Sequence, residues 1–522
     1  MKNYYFLALI SLIIFVLGYL TFSGFYFYDD LSYIKYGFQV AEGKFQIVDD
    51  IFNQRWGIIF PLGGFIKLIG PESYKLIIWP VLCIVGTIWV IYAARANQRP
   101  YLAYIAIMFY IADPYTFNFS SKIYPDNIAT PFFLGSLVVL FYRNLNQILN
   151  AVLFSLAATC CMLIKETIIY LIPFFLLILI VDVVRKENRT FWIWVVAFML
   201  IFISSYLLIY WYKTGDPFFR IHTIHHGHYQ SPYSTYDKSF QNILPRLTTG
   251  PISMLLGTGM FTLVAFALLP LCRSVKFDLN SFDFYWSFLS LYLLIVFFYG
   301  SSSLTFYNLL PLFGRMYLPI IPVLAIASSV AVMHYLRLRK RSLFLAIVFI
   351  LAGIISHHWG SEFRIIYLLL GALLFLYVLI RPLSIKVFYA GLVLILMIYP
   401  MNRLRKSDFS GYYEEVVLRK LLKQNQERSL VITDDQLVNG HEYYNDFKPF
   451  TNISFVSFKD AQNLNFQSYE KIYLFINQQN FANLEGSGIY LPSEDIYSKC
   501  NKEIFRKGKV CLCEADSTYF RR

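Results

Sequence analysis

Apolar residues in this chain come in long runs, neither alternating along strands nor confined to one stripe of a helix. Thirteen such runs stand out, at 4–25, 74–94, 101–117, 127–142, 148–164, 167–184, 190–212, 251–272, 283–299, 315–336, 342–358, 362–380 and 385–400. Most are near or a little below the ~20 residues that carry a helix across hydrocarbon. The first run follows Lys2, and no small-residue cleavage site comes after it. It therefore reads as an uncleaved membrane helix and not as a signal peptide.

The polar connections alternate in character. Arg95 and Arg99, Arg143, Arg185/Lys186/Arg189, Arg273/Lys276, Arg337/Arg339/Lys340/Arg341 and Arg381/Lys386 fall in every second loop. Short basic loops face the cytoplasm. By that parity residues 26–73, residues 213–250 and the C-terminal segment lie outside. Within the first outer loop, Leu31, Ile34, Phe38 and Ala41 recur at helical spacing, which predicts an amphipathic helix in the interface. Trp56 to Ile69 is short and glycine-rich, and reads as re-entrant or interfacial.

Near Met401 the apolar runs stop. Two segments are predicted: a membrane part over residues 1–400, and an external α/β domain over 401–522. Ser429–Thr433, Ile453–Phe458, Lys471–Asn477 and Lys509–Glu514 have strand character, and Tyr412–Lys423 is helical. Alternation of this kind suggests a largely parallel sheet. The segment has no glycine-rich phosphate loop.

Composition agrees with a membrane protein. Of 522 residues, 57% are hydrophobic, 19% aromatic and 15% charged, against about 25% charged in soluble domains. The 50 Phe and 41 Tyr suit a lipid-facing surface with aromatic belts. The net charge of +13 is spread between apolar runs and not along one basic face, which argues against nucleic acid and for membrane lipids and phosphates. Cys83, Cys160, Cys161 and Cys272 lie in apolar runs as packed thiols. Cys500, Cys511 and Cys513 are external, and a disulfide from Cys500 to either of the others is expected.

Several independent outer loops each place charge at a helix end. Asp29, Asp30 and Tyr33 follow the first run, and Gln54-Arg55 comes next. Lys122 and Asp126 bracket the second outer loop, Lys165-Glu166 forms a tight hairpin, and Arg315 and Tyr317 open a late run. Taken singly, each is an ordinary solvated loop charge. Their recurrence at one membrane face points to a shared polar cavity. His222, His225, His226 and His228 cluster without matched carboxylates, so they read as a wet interfacial loop. No metal site is assigned, though a divalent metal stays open as a cofactor. Asp182, near a helix end on the other side, reads as structural.

These residues carry a resemblance. Asp29-Asp30-x-x-Tyr33 resembles the Asp-Glu-x-x-Tyr pattern in the first outer loop of GT-C glycosyltransferases, among them lipid A aminoarabinose transferases and protein O-mannosyltransferases. Arg55 and the Pro61–Gly70 stretch resemble the family's basic residue and Pro…Phe-Gly region. Pro125-Asp126 resembles its second acidic position, and Arg315-x-Tyr317 an Arg-Tyr…Pro pattern. Asp30 stands where Glu is usual, and Arg55 where the lipid A enzymes have Lys.

The resemblance implies a mainly α-helical polytopic fold with a small external α/β domain. It implies a sugar donor carried on a polyisoprenyl phosphate, and an acceptor that is a lipid, a glycan or a protein. Asp29 is the expected base, supported by Asp30 and Asp126. Arg55 and Arg315 are expected on the phosphate, with Lys165, Lys122, Tyr33 and Tyr317 around it. The expected location is the inner membrane, with the site on the periplasmic side. A polysaccharide polymerase or ligase would not need the early Asp-Asp-x-x-Tyr. A transporter of lipid-linked glycan would place charge in mid-span, where this chain has almost none.

Overall fold

The computed structural model describes residues 2–25, 28–95, 100–225, 240–272, 277–301, 307–336, 338–380, 385–405, 409–424, 427–464, 466–478 and 500–515. Each of the thirteen apolar runs carries helix. Among the described residues eight helices are long and apolar enough to cross a membrane, including Ser73–Ala94, Gln147–Ile164, Arg189–Thr214 and Gly314–His334. The chain is a polytopic membrane protein. In the Arg189–Thr214 helix only 6% of the most apolar window is buried, which a soluble fold would not tolerate and lipid would. The run at 251–272, expected as one straight span, is instead Thr249–Thr258 and Phe261–Leu271, bent by 106°. Gly259 at the corner has φ +84, and the Phe363 ring fills the place its side chain would take. Tyr4–Leu20, Tyr101–Ala112, Pro125–Phe141 and Arg364–Leu379 are shorter apolar helices.

The first helix, α1 (Lys2–Leu20), leads to Gly24 and then to α2 (Tyr28–Ala41), a helix where the spacing predicts one. Next comes α3 (Trp56–Ile69), a 14-residue helix on the Trp56–Ile69 stretch. The two pack through glycines. Gly37 lies under Leu62 and Ile66, and Gly63 meets Val40 and the Gly37 carbonyl. Close approach of this kind needs a missing side chain on each helix. Further on, α4 (Pro125–Phe141) and α5 (Gln147–Ile164) form an adjacent pair with α5 returning to the same end.

A C-terminal sheet domain is attached by α6 (Ser410–Gln424). Its strands are β1 (Ser429–Thr433), β2 (Ile453–Ser457), β3 (Lys471–Asn477), β4 (Cys500–Lys507) and β5 (Val510–Ala515), in the order β2-β1-β3-β5-β4. β1 pairs in parallel with β2 and β3, while β3, β5 and β4 are antiparallel. The sheet is therefore mixed, not largely parallel. β4 is exposed on both faces and carries Lys502, Glu503, Arg506 and Lys507, so it lacks the apolar pattern that marks the other strands. The Cys500–Cys513 disulfide joins β4 to β5, with Cα atoms 5.6 Å apart, and Cys511 stays a buried thiol.

The sheet domain docks on the membrane helices through a buried acid. Glu415 of α6 accepts from the Ser73 hydroxyl, from Tyr443 Oη at 2.9 Å and from Arg419 Nε at 2.9 Å. Arg419 also holds Asp446 at 2.6 Å. A second contact needs no side chain at all. Gly24, with φ +95, lies against Gly411, and a Cβ on it would sit 2.1 Å from the Gly411 carbonyl carbon. The Tyr412 N–H then reaches the Ser23 carbonyl at 3.0 Å. Gly24→Ala combines an unfavourable backbone angle with this clash. It should cost more than about 1 kcal/mol and lower the melting temperature in detergent; an unchanged melting temperature would show that the crossing can relax.

At the opposite end of the bundle Arg143 is buried, not exposed as a loop charge. Its Nε and Nη2 meet Asp182 at 2.6 and 2.8 Å, and Asn280 accepts from Nη2 at 3.1 Å. Trp192 Nε1 adds a bond to Asp182 at 2.8 Å.

Candidate functional site

Charged residues gather at the end of the bundle that carries the sheet domain. Asp29 and Asp30 occupy the first turn of α2, where the helix dipole favours carboxylates. Asp29 Oδ2 accepts from Arg315 Nη1 at 3.2 Å. Arg315 lies in the tight turn Gly314–Ile320. A Cβ on Gly314 would enter the Tyr115 ring, so only glycine lets the chain pass there. The Arg315 guanidinium lies over the Tyr124 ring at 4.7 Å. Asp30 is fully buried, and its Oδ1 accepts from the Ile123 N–H at 2.6 Å.

Asp126 sits in the first turn of α4, after Pro125 at a position where proline preorganises a helix start. It pairs with Lys165, which ends α5. Burial pulls the Lys165 ammonium below the ordinary lysine range, and Asp126 opposes that shift most. Arg55 precedes α3 and donates to the Tyr33 hydroxyl. Burial pushes the Tyr33 phenol up, so it keeps its own proton to donate onward. Arg55 Nε has no hydrogen-bond partner among the described residues, and the residue is 8% exposed. Tyr317 is buried against Phe297 and Phe298.

Lys122 has a different position from the other cations. Its ammonium reaches the Gly24 carbonyl and Ser23 Oγ, the latter at 3.2 Å, and Asp30 attracts it. It ties the second loop to the segment before α2. Burial lowers its pKa to about 8. The unfolded lysine, near 10.5, binds more protons than the folded one between these values, so stability should rise with pH from about 8 to 10.5. Lys122→Met should abolish that rise. A wild-type stability that is flat or falls across this window would refute the buried ammonium.

Two further members were given no role by the sequence. Glu166 accepts from Arg220 Nη2 at 2.5 Å and from Nε at 3.2 Å. Arg220 also donates to Tyr206 at 3.2 Å. Next to them Trp56 stacks on Tyr210 at 4.7 Å, and Tyr210 donates to Gln54 at 2.6 Å. Glu166 was visible only as a hairpin charge beside Lys165. Arg220 had no local signal, because its partner lies 54 residues earlier.

Arg55 feels Glu166 and Asp126, and Lys165 feels Arg55 and Arg315, so these charges form one electrostatic cluster. Among the described residues four cations, Arg55, Lys165, Arg220 and Arg315, face three carboxylates, Asp29, Asp126 and Glu166. The surplus of one positive charge suits an anion such as a phosphate ester. His222 meets Asp216 at 2.7 Å, while His226 and His228 lie outside the described residues. Among the described residues, potential metal ligands converge in threes at Cys500, Cys511 and Cys513, where two sulfurs form the disulfide.

Comparison with known proteins gives a family match over part of the chain and a shared fold over nearly all of it. Residues 58–211 match the family model of dolichyl-phosphate-mannose-protein mannosyltransferase. That stretch contains Lys122, Asp126, Lys165 and Glu166. The match spans 154 of the 522 residues, under a third of the chain. The crystal structure of ArnT from Cupriavidus metallidurans bound to undecaprenyl phosphate superposes with a TM-score of 0.56 at 13% identity, covering 98% of both chains. Its apo state superposes equally well, over 99% of both chains. No curated protein matches by sequence.

Proposed function

We propose that the chain transfers a sugar from a polyisoprenyl-phosphate donor to an acceptor at the periplasmic face of the inner membrane. The observation that carries this reading is the four-cation, three-carboxylate cluster at one end of a GT-C-type helix bundle. The ArnT neighbour holds undecaprenyl phosphate, which supports the same class of lipid for this chain.

Asp29 is the base in this reading. Its side chain is 28% exposed, whereas Asp30 is buried and Asp126 is 2% exposed and paired. The donor phosphate competes with Asp29 for Arg315, which frees the carboxylate as the donor seats. The acceptor's nucleophilic atom attacks the anomeric carbon and its proton passes to Asp29. The bond between the anomeric carbon and the phosphate oxygen breaks, and its electron pair stays on the polyisoprenyl phosphate. Arg55, Arg315, Lys165 and Arg220 stabilise the charge gained there. Direct displacement inverts the anomeric centre. Lys122 and Tyr317 support the walls of the site, and Tyr33 offers its proton to the phosphate or sugar.

Purified protein should transfer sugar from polyisoprenyl-phosphate donors and not from soluble nucleotide sugars. Efficient turnover of a nucleotide sugar would sink the lipid-donor model. A periplasm-dependent reporter fused after Arg522 should be active, and activity of a cytoplasm-only reporter there would reverse the orientation.

A further inference from the structure

Most acids at the two ends of the bundle have a cation from the chain itself. Asp29 has Arg315, Asp126 has Lys165, Glu166 has Arg220, and Asp182 has Arg143. Asp113 has none among the described residues, although it is only 3% exposed. Its Oδ2 accepts from the Thr116 N–H at 2.8 Å, whereas Oδ1 is buried with no hydrogen-bond partner among the described residues. A carboxylate buried in that state is costly unless something outside the chain matches it. An ionisable group at membrane depth is kept for a use.

Asp113 follows the helix Pro100–Ala112 and lines a cleft of about 370 Å³ that is open on one side. The cleft lies at the bend of the broken 251–272 run, where Gly259 and Thr262 form one wall. Phe109, Phe363 and Tyr399 bring three aromatic rings to it. Phe363 stacks on Tyr399 at 5.0 Å, and Tyr399 Oη accepts from Asn118 Nδ2 at 3.1 Å, so two of the rings are held in place. The cleft is separate from the charged cluster but shares a wall with it. Pro114 lies against Gly259, while the ring of Tyr115 fills the space beside Gly314, next to Arg315.

A lone carboxylate oxygen among aromatic rings suits an organic ammonium. The acid accepts its N–H groups and the ring faces attract its charge. An anion would be repelled, and a sugar hydroxyl would satisfy the oxygen but not its charge. Apolar surface continues from the cleft. Ile366 lines it, and Ile365, Leu368 and Leu369 on the same helix are exposed. We propose that the cleft binds the ammonium head of an amine phospholipid, with Asp113 Oδ1 as its acceptor and the acyl chains along the helix Arg364–Leu379. This site is for a bilayer lipid and does not depend on sugar transfer.

The test is binding of short-chain lipids to the full-length protein in detergent, read as a saturable rise in melting temperature. Dioctanoyl phosphatidylethanolamine should bind at least about tenfold more tightly than its N-acetylated form or dioctanoyl phosphatidylglycerol, and polyisoprenyl phosphate should not displace it. Asp113→Asn keeps the cap on Thr116, because Asn caps comparably, and removes the charge. Affinity for the ethanolamine lipid should fall roughly 10–10²-fold, with the lipid-free melting temperature near that of wild type. Ala112→Leu keeps the acid and fills the cleft, and should weaken binding as well. Equal affinity for the three lipids overturns the proposal, as does displacement by polyisoprenyl phosphate or full affinity in either variant. Ethylammonium binding as tightly as the lipid would assign the cleft to a soluble amine and overturn the lipid. If Asp113→Asn does not fold, the ethanolamine lipid against its N-acetylated form on the wild-type protein decides the matter.

Discussion

Asp29→Asn should lower turnover by roughly 10²–10⁴, with normal expression and retained affinity for polyisoprenyl phosphate. The substitution keeps the shape of the side chain and removes its basicity. Asn can still accept from Arg315, so the local geometry should survive. A competing explanation is that Asp29 only helps to start α2. The helix begins at Tyr28, so Asp29 lies inside the first turn, where loss of a carboxylate costs a few tenths to about 1 kcal/mol of helix stability. That cost would appear in the melting temperature and not as a collapse in turnover. Asp30→Asn and Asp126→Asn should differ in kind. Asp30 holds the Ile123 N–H and attracts Lys122, and Asp126 holds Lys165, so both variants should disturb folding or donor binding as well as rate. Near-normal turnover in Asp29→Asn would move the base to one of these two.

The largest effect on stability is expected far from the site. Arg143 and Asp182 are 2% and 0% exposed, and the pair is completed by Asn280 and Trp192. Arg143→Leu leaves a buried carboxylate with its main partner gone. Breaking such a pair costs about 3–5 kcal/mol, enough to remove most folded protein from a marginally stable domain. Arg143→Met with Asp182→Leu replaces both charges by apolar groups and should recover much of that loss. Because α5 spans the distance between this pair and Lys165, the surviving folded fraction should turn over normally. A double variant as unstable as the single one would mean that the pair carries register as well as charge. Reduced turnover per folded molecule would mean that the two ends of the bundle are linked.

How the site is assembled explains which parts could be read beforehand. The long apolar runs, the amphipathic spacing of Leu31, Ile34 and Phe38, and the alternating loops are local patterns set by the requirement that lipid meet only apolar surface. Helix existence followed directly from them. Asp29, Arg55, Asp126, Lys165 and Arg315 were visible as charges at helix ends because charge next to hydrocarbon is costly and therefore conspicuous. Pairing was not visible. Arg315 reaches back 286 residues to Asp29, and Arg220 reaches back 54 to Glu166. No periodicity encodes such distances.

By itself, then, the sequence determined that this is a many-helix membrane protein with a polar end, a separate polar C-terminal segment and a short set of charged candidates. These are properties of composition and short-range spacing. The tertiary structure decided the rest. It broke the 251–272 run at Gly259, where a positive φ ends the helix and a neighbouring ring leaves no room for a side chain. It made the sheet mixed by running β5 antiparallel to β3, and added β4, whose charged residues conceal a strand held by backbone pairing to β5. It turned Lys122 toward the Ser23–Gly24 backbone and joined Glu166 to Arg220. It also laid Gly24 against Gly411, because close approach between distant segments depends on which side chains are absent and no local pattern records an absence.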